Sequence, residues 1–104
     1  GVTAIFCMAD RMAGGVYDYL EEKGLRAGED VSVTGFDNQD LSEYFRPALT
    51  TMDLPLAEIG EKASALLLER LKEKENSVEI PREPIAISVP CSLVERQSVK
   101  RLVP

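Results

Sequence analysis

Apolar and polar positions follow three patterns along this chain, and each pattern predicts a different element. Residues 2–8 read Val-Thr-Ala-Ile-Phe-Cys-Met, a short and nearly unbroken apolar run. Such a run, with β-branched and aromatic residues, predicts a strand buried on both faces. Residues 31–36, Val-Ser-Val-Thr-Gly-Phe, predict a second strand. Between them Met12, Val16, Tyr19 and Leu20 recur at helical spacing. Asp10 suits the N-cap and Gly24 the stop, so a helix is expected over residues 11–23. Gly14-Gly15 costs that helix about 1 kcal/mol per glycine against alanine. Close packing against another backbone would account for the pair.

Residues 25–30 form a polar turn. Residues 41–45 fit a helical turn closed by Arg46-Pro47, and residues 49–52 a third extended piece. Asp53 and Pro55 mark a helix start. Over residues 56–74 the positions Leu56, Ile59, Ala63, Leu66, Leu67 and Leu71 make one stripe, with charged residues opposite. That is an amphipathic helix lying on a core, with Glu58 and Lys62 paired at i,i+4. Residues 72–77 lead into a polar loop, and Pro81 and Pro84 bracket a turn. Residues 85–89 predict a last strand, continued by residues 92–95 past Pro90. The tail from Gln97 is expected to be disordered. The order β-α-β-turn-β-α-β predicts an α/β fold of three layers, α/β/α, with a parallel sheet. No linker, repeat or low-complexity stretch divides the 104 residues.

Composition narrows the chemistry. Lys and Arg number 12 and Asp and Glu 18, for a net charge of −6. A basic nucleic-acid or membrane face is therefore not expected. No run of apolar residues is long enough for a transmembrane helix, and residues 1–6 do not read as a signal peptide. Histidine is absent, which removes the commonest general base and the commonest zinc ligand. Cys7 and Cys91 have no metal-ligand spacing and are expected as reduced thiols of a cytoplasmic protein. Neither a cofactor nor a catalytic residue is expected.

Ligands of open α/β sheets bind at the carboxyl ends of strands. Asp10 follows the first strand and Asp37 the second. Either carboxylate can accept two hydroxyl hydrogen bonds, and each also has a plain local role, as cap or as turn residue. Phe36, Tyr44 and Phe45 can stack on a ligand or pack at an interface. Asp37, Asp40 and Glu43 lack the glycine and terminal Glu of a calcium loop, so no metal site is expected.

Four segments together resemble one family. Residues 3–13, Thr-Ala-Ile-Phe-Cys-Met-Ala-Asp-Arg-Met-Ala, resemble the strand-to-helix signature of LacI/GalR transcriptional regulators. Residues 24–38, ending Val33-Thr34-Gly35-Phe36-Asp37-Asn38, resemble that family's GLRVPEDVSVIGFDN segment, with Ala27-Gly28 in place of Val-Pro. Pro47-Ala48-Leu49-Thr50-Thr51 resembles its PxLTT, and Leu93-Val94-Glu95-Arg96-Gln97-Ser98 its terminal LVERES.

The resemblance implies part of a periplasmic-binding-protein-like (type I) effector domain: residues 1–99 as its C-terminal portion and 100–104 as a tail. It implies a small-molecule effector, a sugar or a nucleobase-like compound, and a homodimer. Operator DNA would be bound only through a helix-turn-helix that has no counterpart in these residues. On that basis Asp37 matches an effector-contacting aspartate. Ala9 stands where some members carry an effector-contacting Asn, so it can only shape a wall. Phe36 adjoins the ligand, Leu56 lines the pocket, and Gly14 and Phe45 lie at the dimer interface. The residues between Leu49 and Asp53 would cross between subdomains. Two rival readings are a transport-type solute-binding protein and an enzyme using Asp10 and Asp37 as an acid/base pair.

Overall fold

The computed structural model describes residues 1–76 and 84–103, so the turn expected between Pro81 and Pro84 lies outside the described residues. The chain forms two compact units, Gly1–Leu54 with Cys91–Pro104, and Pro55–Pro90. Both boundaries fall at a proline, which removes an amide donor and interrupts regular pairing.

In the first unit β1 (Ala4–Phe6) pairs in parallel with β2 (Ser32–Thr34), with Ile5 opposite Val33. Between them runs α1 (Asp10–Glu22), within a residue of its expected ends. A 3-10 turn, Asp40–Glu43, leads to β3 (Thr51–Asp53). Parallel bridges Thr34–Thr50 and Asp37–Asp53 set β3 beside the end of β2. The βαβ order and parallel pairing are as the alternation of patterns predicts. The last strand differs: β4 (Ser92–Val94) runs antiparallel to β3, with Met52 opposite Leu93.

The core is small: Cys7, Ala13, Leu20, Ala27, Val31, Val33 and Leu49, with Ile5, Val16, Tyr17 and Phe45 packed against it. The face that α1 buries is Ala13, Val16, Tyr17 and Leu20, which keeps Val16 and Leu20 of the expected stripe but replaces Met12 and Tyr19. Met12 and Tyr19 are each 58% exposed. Nor is β1 buried on both faces. Ile5 and Cys7 point to the helix side, while Phe6 and Met8 are 70% and 77% exposed on alternate positions. Burial pushes the Cys7 thiol above its ordinary pKa, and burial does the same to the Tyr17 phenol. The Tyr17 hydroxyl donates to the carbonyl of Pro47 at 2.8 Å.

The tail is ordered, contrary to its polar composition. β2 bonds to β1 through Ser32 and Thr34, so the peptide groups of Val33 face the other way. Ser98 takes both: its carbonyl accepts from Val33 N at 2.9 Å, and its hydroxyl donates to Val33 O. The same hydroxyl accepts from Thr50 N at 2.8 Å. Ser98 thus joins the flank of β2 to the start of β3, and it is fully buried. Gly28, at φ +80°, lies beneath this joint, where a Cβ would collide with the Gln97 carbonyl. Lys100 N donates to the Ser32 hydroxyl at 2.9 Å.

The second unit holds α2 (Leu56–Glu75), close to the expected span, with the Glu58–Lys62 pair at 3.3 Å. No residue of α2 is buried, so the apolar stripe lies on no core among the described residues. Residues 85–89 form no ladder with a described strand. Their alternate side chains Ile85, Ile87 and Val89 line, with Ile59, Ala63 and Leu66, a groove of about 380 Å³. Among the described residues no helix is long and apolar enough to cross a membrane.

Ser98→Ala removes one donor and one acceptor from a buried joint. Unmet buried groups cost about 1–3 kcal/mol each. We expect a loss of at least that size in the midpoint-derived stability of the full-length protein on chemical denaturation. A change within about 0.5 kcal/mol would mean that the joint bears no strain.

Candidate functional site

The carboxyl ends of β1 and β2 meet where Asp10 N donates to the carbonyl of Phe36 at 3.0 Å. That bond brings Ala9, Phe36 and Asp37 into one place. Ala9 holds extended backbone before α1, and its carbonyl accepts from Met12 N and Ala13 N. Its methyl offers no hydrogen bond. Phe36 and Asp37 are half-buried. Leu56 opens α2 in the other unit and is 67% exposed.

Asp10 is not a cap. No side-chain capping bond is made at the start of α1. Its carboxylate is fully buried and reaches across the fold instead. One oxygen accepts from Gln39 N at 2.6 Å and the other from the Thr51 hydroxyl at 2.6 Å. A carboxylate in the first helical turn also lies in the favourable field of the helix N-terminus. Gly35 makes room for it: a Cβ there would collide with Asp10 Oδ1 and come within 2.8 Å of Leu49 Cδ2. With both oxygens engaged inside the protein, Asp10 is not available to share acid/base work with Asp37.

Asp37 and Asn38 occupy left-handed backbone, at φ 106° and 53°. Non-glycine residues there cost on the order of 1–3 kcal/mol each, and Asp and Asn bear it best. Neighbours hold the turn in place. Asp37 N donates to Met52 O at 3.0 Å. Asn38 N donates to the Thr51 hydroxyl at 3.3 Å, and Asn38 Nδ2 to Asp53 Oδ1 at 2.9 Å. The Asn38 amide oxygen accepts from Arg96 Nη2 at 2.8 Å and from the Ser42 hydroxyl at 3.2 Å. Arg96 Nη1 donates to Ser42 Oγ at 2.8 Å and to Leu49 O at 2.9 Å. The Asp37 carboxylate accepts no hydrogen bond from the described residues. It stands on a fixed turn with its acceptor capacity unused, which is the chemistry that recognises vicinal hydroxyls or ring N–H groups.

Asp37, Asp40 and Glu43 do not converge. Among the described residues no three acidic or thiol side chains are placed to hold a metal ion. Gly14 and Phe45 are brought together within the chain: a Cβ at Gly14 would lie 3.7 Å from the Phe45 ring. That ring stacks at 5.0 Å on Tyr17. That distance is ordinary van der Waals contact, so a methyl would fit at Gly14 and the ring does not require the glycine. Gly15 has open space around it and stays unexplained inside the chain.

Asp10, Arg96 and Ser98 were not legible as structural residues. Each acts over 29 or more positions of sequence, and local pattern carries no signal of that reach. The quoted LVERES resemblance marked the segment holding Arg96 and Ser98 without showing what they do.

The chain is similar to known proteins. Residues 2–99 match the model of the periplasmic binding protein-like domain. The HTH-type transcriptional repressor PurR of Vibrio atlanticus is 44% identical over 100 residues, covering 96% of this chain and 28% of the repressor. The chain thus spans less than a third of that relative's length. A LacI family transcriptional regulator from Enterococcus faecalis, solved with bound ribose, superposes with a TM-score of 0.78 at 37% identity. That match covers 97% of this chain and 36% of the regulator. The lac repressor dimer bound to operator and the anti-inducer ONPF gives a TM-score of 0.72 at 29% identity, covering 95% of this chain and 32% of the repressor's.

Proposed function

The chain belongs to the periplasmic binding protein-like domain family, and from that premise we propose that it is the C-terminal part, residues 1–99, of the effector-binding domain of a cytoplasmic transcriptional regulator. It is a binding module and not an enzyme. Its effector is a small hydroxyl- or N–H-bearing molecule, a sugar or a nucleobase-like compound. The observation that carries this reading is Asp37, a carboxylate without a hydrogen-bond partner among the described residues, on a braced left-handed turn at the strand ends. Relatives that are named repressors, and a related regulator with ribose bound, support it. Phe36 and Ala9 border the same place. The effector acts by population shift, favouring the conformation of the whole regulator that it contacts best. Operator DNA is bound through parts of the regulator outside these residues.

The regulator is a homodimer, and the outer face of α1 belongs to its interface. Met12, Tyr19 and Tyr44 are large and exposed, and Gly15 costs the helix stability with no compensation inside the chain. Close approach by a second copy explains that cost. Gly14 and Phe45 support the face from beneath.

Two outcomes are expected in the full-length protein. Titration calorimetry with neutral sugars and purine bases finds one saturable ligand class, and Asp37→Ala weakens it about ten- to a hundredfold. That range is what a charge-assisted hydrogen bond of about 1.5–3 kcal/mol supplies. Unchanged affinity in Asp37→Ala, or no ligand in either class, contradicts the reading. Sedimentation equilibrium of Gly15→Gln shows the dimer weakened at least about tenfold with an undiminished melting temperature. An intact dimer removes α1 from the interface.

A further inference from the structure

A carboxylate that recognises a ligand is useful only if its turn does not relax between binding events. The Asp37–Asn38 turn is held on one side by strand β3 and on the other by Arg96. The guanidinium side chain is only 13% exposed, and it divides its two terminal nitrogens between different partners. Nη2 goes to the Asn38 amide oxygen, while Nη1 goes to Leu49 O and to Ser42 Oγ. Ser42 passes the contact on, since its hydroxyl donates to the same Asn38 oxygen. The acidic partner Glu43 lies at 3.7 Å and is itself 69% exposed, so dipoles rather than a carboxylate hold most of this charge. The backbone of Arg96 is fixed as well, its N–H donating to the Thr50 hydroxyl at 2.9 Å.

We propose that Arg96 is a positioning residue for the effector site: by gripping the Asn38 side chain it keeps the left-handed turn formed and presents Asp37 ready-made to the ligand. The proposal rests on the reading of Asp37 as the effector's acceptor. Arg96 acts through the turn and does not touch the ligand. A planar fork is required, because one nitrogen must serve Asn38 while the other serves Ser42 and Leu49. A lysine offers its donors from one point and keeps the charge without the grip.

The test compares Arg96→Lys and Arg96→Met with the unaltered full-length protein. Amide hydrogen exchange without ligand is the first measurement. We expect the amides of residues 37–39 to exchange at least about tenfold faster in Arg96→Lys, and faster still in Arg96→Met, with α1 unchanged. Equal acceleration of the loop and α1, or an unchanged loop, overturns the proposal. Ribose titration is the second measurement. We expect Arg96→Lys to weaken ribose at least about tenfold in the native background and to have no effect in an Asp37→Ala background. Equal weakening in both backgrounds overturns the proposal and makes Arg96 a general structural residue. If Asp37→Ala leaves ribose affinity intact while Arg96→Lys still loosens the loop, the effector reading of Asp37 fails and the grip on the turn stands. If the unaltered protein binds no ribose, ribose is not the effector and the exchange result decides the role of Arg96.

Discussion

A buried carboxylate with both oxygens committed holds this unit together at the carboxyl ends of β1 and β2. Asp10 starts α1, yet its bonds go to Gln39 and Thr51, on the loop after β2 and on β3. A helix, a loop and a strand far apart in sequence therefore have a single permitted arrangement. The cost of burying an ionised group is met by two short charge-assisted hydrogen bonds and by the helix field. Removing the carboxylate would leave an amide and a hydroxyl without acceptors, so the constraint acts in both directions. Gly35 is part of the same constraint, because any side chain there would occupy the carboxylate's space.

The proposed ligand site follows from that node. Once Gln39 is tied to Asp10, the two residues before it must complete the path from β2 in left-handed backbone. Arg96 and β3 stabilise that path, and Ser98 secures the segment from which Arg96 reaches. The unused carboxylate of Asp37 is thus the product of a chain of satisfied groups beneath it. A rigid acceptor of this kind loses less entropy on binding than a mobile one.

The elements were legible because periodicity reports them: α1 and α2 start and stop within a residue of expectation. The buried faces were less legible. Phe6, Met8, Met12 and Tyr19 are as apolar as core residues but are exposed on the first unit. Apolarity says that a residue seeks cover, not which chain segment covers it. The segment after residue 96 was misread because its polar composition resembles a frayed end. Polar side chains there instead complete backbone hydrogen bonding of β2 and β3. Residues 85–89 carry a strand's alternation without a described ladder partner. Asp37 was legible as a turn residue from its neighbours, and its proposed role as a ligand acceptor comes from the family resemblance. Asp10 was misassigned because a local explanation, the cap, was sufficient on sequence grounds.

The central claim is that Asp10 and Thr51 act as one unit in fixing the strand ends. A double-mutant cycle measures this directly, with Asp10→Asn, Thr51→Val and the double variant followed by chemical denaturation of the full-length protein. The account predicts a coupling of at least about 1 kcal/mol between the two substitutions, as expected for groups sharing a buried charge-assisted bond. Additive effects, with coupling below about 0.5 kcal/mol, would show that the carboxylate and hydroxyl stabilise the fold independently and would contradict it.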